Sequence, residues 1–234
     1  MARELQVLSG GAAQGLVAAL KDEFARASGF TVHGTFGAVG AMRDKLLAGE
    51  ACDLVILTQA LVDELTAQGH LAPGSAVPLG AVKTGVAVKA GESMPDVRSA
   101  EGLKSALRAA TAVYFPDPVK STAGIHFMKV LKTLAIDSEL GPRMRPYPNG
   151  AIAMREMADS NQRGVIGCTQ ATEILYAPGV QLAGLLPREF ELATIYTAGI
   201  AARAAEPELA RAFTAQLADP QHAAVRAACG FEAA

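Results

Sequence analysis

Three times within the first 68 residues a short apolar run is followed by an amphipathic helical repeat, and this order narrows the choice of folds sharply. Leu5 to Leu8 reads as a strand closed by Ser9-Gly10-Gly11. Ala13, Leu16, Val17, Leu20 and Phe24 then recur at helical spacing up to a stop at Gly29. Phe30 to Phe36 reads as a second strand, followed by Gly37-Ala38-Val39-Gly40 and a helix through Met42, Leu46 and Leu47 that ends at Gly49. Asp53 to Leu57 is a third strand, with Thr58 at its carboxyl end and a helix from Gln59 to Gln68 behind it. Parallel neighbours need a crossover connection, so a β-α-β-α-β-α order calls for a parallel sheet with helices on its faces.

An aperiodic region rich in Pro and Gly, Leu71 to Gly80, separates this run from a second one. Val82 to Val88 alternates as a strand, Gly91 to Pro95 turns, and Ser99 caps a helix to Ala110. The stretch AVYFPDPVKSTAGIHFMKVL, from Ala112 to Leu131, reads as a buried strand stopped by Pro116 and Pro118, a tight loop, and a helix with Ser121 or Thr122 at its N-cap. That helix is expected to run to about Ile136, with a short further one from Asp137-Ser138. Tyr147-Pro148-Asn149-Gly150 reads as a turn into a helix through Met154 and Met157. Val165 to Cys168 is a strand, followed by Thr169-Gln170 and a helix to Tyr176. Val180 to Leu186 and Leu192 to Ile200 read as strands. Helices starting at Pro207 and at Asp219-Pro220 finish the chain, with Gly230 as the stop.

At 234 residues the chain is long enough for two lobes, read here as 1–80 with 195–234, and 83–190. A hinge is expected near 82–88 and 192–200. The fold class is α/β, each lobe a mostly parallel sheet flanked by helices. In open sheets of this kind the ligand lies outside the carboxyl ends of the strands, so a cleft between lobes is the expected site. Half the residues are hydrophobic and the net charge is −2, which removes any electrostatic case for nucleic acid or an anionic membrane as partner. An anion site must then be local, made by oriented dipoles. Three cysteines with no C-x-x-C spacing argue against a disulfide framework or a zinc site, and no His, Asp or Glu cluster has metal-ligand spacing. Neither a metal nor a cofactor is expected. Leu65 to Val82, the longest uncharged run, holds two prolines and several glycines and does not read as a membrane span. Glu4 stands where a secretory apolar segment would begin, so the chain reads as cytoplasmic as written, or as periplasmic if a leader has been removed.

The strand ends supply candidate ligand-binding residues: Ser9, Gly10 and Gly11; Gly37, Ala38 and Val39; Thr58; Ser121 and Thr122; Thr169 and Gln170; to these the short Tyr147–Asn149 turn adds the amide of Asn149. Helix starts hold anions because first-turn N–H groups lack intrahelical partners and the helix dipole favours negative charge. Ser121 and Thr122 can serve as caps and as ligand donors. His126 follows Thr122 by four residues on the same helix face, and its Cβ tilts back toward the helix start. Asp117, between two prolines at a strand end, could accept a proton, although a turn role is commoner for such a residue. Lys120 is the nearby cation, Tyr196 lies on the hinge strand, and Cys168 reads as a core thiol. Gly34, Gly37 and Gly40 are spaced G-x-x-G-x-x-G, which is not the dinucleotide fingerprint.

Four segments carry a resemblance to a known family: QVLSGGAAQGLVAAL, TFGAVGAMRDKLLAGEACDLVIL, FPDPVKSTAGIHFMKVL and GIAARAAEPELARAFTAQLADP. The chain resembles the molybdate-binding type of periplasmic solute-binding protein, over nearly its whole length. That resemblance implies a two-lobed, hinged type II fold and, for an exported chain, the permease of an ABC transporter as partner. It also implies a serine donor in each of the first two loops. Here those places hold Ala12, and Ala38 or Val39. The scaffold is similar as well to a smaller branch, aconitate isomerase among it, whose cleft takes an organic acid.

The leading functional expectation is binding of a small anion, an organic di- or tricarboxylate or an oxyanion, by closure of two lobes. The competing one is an isomerase that shifts a proton on an unsaturated carboxylate, with His126 or Asp117 as base. Further alternatives are a molybdate or tungstate component of a transporter and a cytoplasmic sensor of the same ligand. Oligomeric state is not legible in the residues.

Overall fold

A computed structural model describes residues 4–233. The chain divides into two compact units, residues 1–82 with 194–234, and residues 83–193. In chain order the first elements are β1 (Glu4–Gly10), α1 (Gln14–Ser28), β2 (Thr31–Gly37), α2 (Val39–Leu47), β3 (Leu54–Thr58), α3 (Gln59–Ala67) and β4 (Val77–Lys89). Then follow α4 (Ala100–Ala109), β5 (Val113–Pro116), α5 (Thr122–Thr133), α6 (Asp137–Leu140), β6 (Met144–Tyr147), α7 (Gly150–Asp159), β7 (Ile166–Gln170), α8 (Ala171–Tyr176) and β8 (Val180–Leu185). The chain closes with β9 (Ala193–Ile200), α9 (Pro207–Ala218) and α10 (Ala223–Ala228).

In the first unit β1 is the central strand, parallel to β2 and to β3, while β9 runs antiparallel along β3. The register sets Gly10 opposite Gly37, Ser9 opposite Ile56 and Thr58 opposite Tyr196, so these strand ends lie side by side. The helices are amphipathic in the expected phase. Helix α1 buries Leu16, Val17, Leu20 and Phe24, and the Phe24 ring meets Phe213 of α9 at 4.8 Å between centroids. Each such side chain contributes roughly 1.5–3 kcal/mol on burial.

The second unit has its own sheet, in which β7, β5 and β6 are parallel and β4 runs antiparallel to β7 and β8. Two helices cover opposite faces. Helix α5 packs Phe127 and Leu131 with Phe115 and Cys168, whereas α7 packs Met154 and Met157 with Tyr114.

Several boundaries differ from the sequence expectation, each for a tertiary reason. Strand β4 begins at Val77, inside the segment read as aperiodic; it neighbours β9 in the sheet, and its Ala81 exchanges backbone hydrogen bonds of 2.9 and 2.8 Å with Glu232. Gly80 there has φ +143°, and a Cβ would lie 2.6 Å from the Glu232 carbonyl oxygen, so the approach needs glycine. Strand β6 has no counterpart in the sequence pattern, which shows only the turn from Tyr147 to Gly150. It contains Pro146 and pairs on one side only, with β5, the edge position that tolerates a missing N–H. Helix α5 ends at Thr133, three residues early, and Ala135 takes φ +53° to turn the chain into α6. Strand β7 extends through Gln170, so Thr169 and Gln170 belong to the strand rather than to a loop after it. Among the described residues no helix is long and apolar enough to cross a membrane.

Candidate functional site

In the first unit the carboxyl ends of β2, β1 and β3 each run straight into a helix start. Ser9 is fully buried, and its hydroxyl donates to the Gly10 carbonyl at 2.9 Å. Gly10 admits no side chain, because a Cβ would lie 2.8 Å from Val39 Cγ1 and 2.9 Å from the Tyr196 ring. Gly11, Ala12 and Ala13 form a buried 3-10 turn. Gly37 ends β2, Ala38 is the N-cap of α2 in extended conformation, and Val39 is its first helical residue. Thr58, half-buried, is the N-cap of α3. None of these helix starts has a side-chain cap or an acidic residue in its first turn.

In the second unit β7, β5 and β6 lie adjacent, and the Asp117–Ser121 loop leads from β5 into α5. Gly124 in the first turn of α5 is packed so tightly on the Pro116 and Asp117 carbonyls that a Cβ would overlap both. Ser121 occupies the N-cap as expected, but its hydroxyl caps no helix N–H. The first intrahelical bond runs from the Ile125 N–H to the Ser121 carbonyl, at 2.9 Å. The N–H groups of Thr122, Ala123 and Gly124 precede it and form the open end of the helix. Asp117 Oδ1 accepts from the Val119 and Lys120 N–H groups at 2.7 and 2.9 Å, which folds the loop back on itself. His126 Nε2 donates to the Phe190 carbonyl at 2.8 Å, tying α5 to the 188–190 turn. The two residues considered as bases therefore each hold a local structural bond.

Helix α7 is built differently. Asn149 caps it, its Oδ1 accepting from the Ile152 N–H at 2.8 Å. The N–H groups of Gly150 and Ala151 go to the carboxylate of Glu173, a residue that the sequence reading passed over. Thr169 donates its hydroxyl to the same carboxylate at 2.5 Å, and the Gln170 N–H reaches it too. A Cβ at Gly150 would overlap both the carboxylate and the Thr169 hydroxyl. Glu173 is 5% exposed, and burial pushes its carboxyl up to about 7, the Thr169 hydroxyl and the three N–H groups pulling back against it. Its spacing was the available signal. Gln170 is the N-cap of α8 and Glu173 its third residue, the positions of a capping box, in which the acid reaches back to the N-cap N–H.

Two more hydroxyls were missed. Thr84 Oγ1, opposite Gln170 on β4, and Thr172 Oγ1, in the first turn of α8, are buried with no hydrogen-bond partner. Thr194 and Thr214 share this property, but only Thr84 and Thr172 stand beside the strand end at Gln170. Each unit thus assembles its own predicted strand ends: Ser9–Gly11, Gly37–Val39 and Thr58 in the first; Ser121, Thr122, Asn149, Thr169 and Gln170 in the second.

A cleft of about 480 Å³ in the first unit, lined by Leu46, Gly49, Cys52, Gly69, His70 and Arg203, lies at the opposite ends of the elements. It opens where α2 and α3 end and before β3 begins. Helix carboxyl ends present carbonyls and disfavour anions, so this cleft does not continue the donor sets.

Comparison with known proteins agrees with this layout. Residues 5–232 match the family described as bacterial extracellular solute-binding protein. An aconitate isomerase from Pseudomonas sp. is 27% identical over 225 residues, covering 92% of this chain and 82% of that one. The periplasmic molybdate-binding protein of Azotobacter vinelandii superposes with a TM-score of 0.81 at 20% identity, covering 98% of this chain and 99% of that one. The sulfate-binding protein of Mycobacterium tuberculosis superposes with a TM-score of 0.75 at 15% identity, covering 98% and 86%. The fold is that of the two-lobed type II periplasmic binding proteins, and the chain belongs to the bacterial extracellular solute-binding protein family.

Proposed function

We propose that the chain is a solute-binding protein for a small organic anion, a di- or tricarboxylate. The observation that carries this reading is the distribution of caps. Ser99, Asn149 and Asp219 cap α4, α7 and the 220–222 turn with their side chains. The helix starts that follow β1, β2, β3 and β5 have no such cap and, unlike the equally uncapped α6, α9 and α10, stand at the carboxyl ends of parallel strands. A helix start without an internal acceptor is a ready acceptor site for an external anion.

The preference for an organic anion rests on Ala12, Ala38 and Val39. These buried, apolar residues stand where the family resemblance puts hydroxyl donors. A charge-assisted hydrogen bond contributes about 1.5–3 kcal/mol, so two missing ones weaken a fully hydrated oxyanion by several powers of ten. A carboxylate ligand can instead set a carbon skeleton against them. In an exported chain the bound anion is passed to the permease of an ABC transporter.

Thermal-shift titration against molybdate, tungstate, sulfate and a panel of di- and tricarboxylates tests the reading. A tricarboxylate or dicarboxylate is expected to raise Tm more than any oxyanion. A larger shift with molybdate overturns the preference, and no shift with any anion overturns the binding role.

The 27% identity to an aconitate isomerase supports a second reading, an enzyme that moves a proton on an unsaturated carboxylate. Incubation with cis-aconitate, followed by chromatographic separation of the isomers, tests it directly. Turnover that survives in both H126A and D117N would exclude these two residues as the base.

A further inference from the structure

We propose that Glu173 is a built-in negative charge that sets the specificity of the second unit's donor set, so that binding of an anion there is linked to proton uptake by this carboxyl. The inference rests on the reading that a small anion is held at the open start of α5.

The geometry places an internal anion next to an external one. Strand pairing sets Tyr114 opposite Gly167 and Pro116 opposite Tyr147, so the carboxyl ends of β7, β5 and β6 stand side by side. The open first turn of α5 follows β5, and its Gly124 packs on the Pro116 carbonyl. Thr169, which holds the Glu173 carboxylate, is the penultimate residue of the neighbouring strand, and Gly150, on the other side of that carboxylate, follows β6. Neighbouring strands are about 4.8 Å apart, so the two negative charges would lie on the order of 10 Å from each other.

Among the described residues no cation neutralises Glu173. Its partners are one hydroxyl and three N–H groups. The titratable groups on the elements packed around it are engaged elsewhere. On α7, Arg155 pairs with Glu156, and Asp159 is exposed at the far end. On β6, Arg145 donates to the Pro142 and Met144 carbonyls, and Tyr147 stacks on Tyr114 of β5. On β7, Cys168 is a buried thiol pushed far up by desolvation. Tyr176 ends α8 exposed, β8 carries no titratable side chain, and on β4 Lys83 pairs with Glu191 while Lys89 donates to the Ser160 carbonyl.

An anion arriving at α5 therefore raises the proton affinity of Glu173, and by linkage a proton on Glu173 raises the affinity for the anion. Two unit charges about 10 Å apart at a partly buried site couple by about tenfold in affinity. The proton comes from solvent onto a carboxylate oxygen, and no bond between heavy atoms changes. The neutral carboxyl still accepts from Gly150 and Ala151, so α7 keeps its start.

Sulfate and fumarate keep a constant charge from about pH 6 to about pH 8.5, which makes both suitable probes. Calorimetric Kd values for each are expected to tighten about tenfold across that range as pH falls, with about half a proton at most taken up per anion in buffers of different ionisation heat. The E173Q variant should bind with the affinity of the acidic wild type and show no pH dependence. Carbon-13 NMR of the Glu173 carboxyl in the unaltered protein should show its titration moving to higher pH when sulfate or fumarate saturates, a readout that does not depend on the variant folding. Binding that is flat in pH in the wild type, or a Glu173 titration unmoved by the anion, overturns the linkage and leaves the binding role standing. If neither probe binds at any pH, the inference falls together with the reading beneath it.

Discussion

Glu173 and Gly150 form a pair in which each residue explains the other. A buried carboxylate with no cation needs hydrogen bonds, and the start of α7 supplies them only because Gly150 has no side chain in the way. G150A is accordingly expected to displace the carboxylate and to cost about 2 kcal/mol or more by urea denaturation, since a buried charge left short of donors carries its full desolvation penalty. Stability should also follow pH through this group. Its ordinary value is 4.5 and burial raises it to about 7, so the folded protein binds the proton more tightly than the unfolded chain. The resulting stability is fully present below about pH 4.5 and is lost as pH rises through about 7, a span worth on the order of 3 kcal/mol. Chemical denaturation of wild type and E173Q at about pH 5 and about pH 8 checks this. The wild type should lose more stability than the variant between those two conditions.

At the scale of elements, two serines in the same formal position do different work. Ser99 accepts from the Gly102 N–H at 3.1 Å and caps α4. Ser121 sits at the N-cap of α5 and caps nothing. S99A should therefore cost about 1 kcal/mol of stability and leave anion affinity unchanged. S121A should stay within about 0.5 kcal/mol of wild type in stability and lose affinity for whichever anion the thermal-shift panel identifies. The reverse assignment of effects would remove Ser121 from the candidate site. His126 belongs to this scale too, since its bond to the Phe190 carbonyl joins α5 to the 188–190 turn.

At the scale of the whole molecule, the two units differ in how the chain supplies them. Residues 83–193 are continuous, and among the described residues the two clusters of their core lie within that span. The other unit is assembled from both ends of the chain, with Phe213, Leu217 and Phe231 packed among residues from the first 82. Removal of 207–234 should thus strip core side chains from that unit alone. Hydrogen exchange of the truncated protein is expected to show lost protection in β1, β2 and β3, with β5 and β7 still protected.

The sequence alone determined most of the elements, because amphipathic spacing such as Leu16, Val17, Leu20 and Phe24 is a local property that survives into the fold. It also determined the strand-end loops where an anion could be received, since strand, glycine and helix start are contiguous at Gly10, Gly37 and Ser121. Three things were settled only by tertiary contact. Strand β4 reaches back to Val77, where it neighbours β9 and where Glu232, some 150 residues away in the chain, pairs with Ala81. Strand β6 exists because β5 offers it an edge. The division of the helix starts into open and closed ones depends on which side chains arrive from elsewhere. Ser121 and Asn149 look equally fit as caps in sequence, yet one leaves its helix open and the other closes it with help from Glu173 on a different helix. Hydrogen-bond satisfaction of a helix end is a property of everything that packs against it, and spacing along one chain cannot record that.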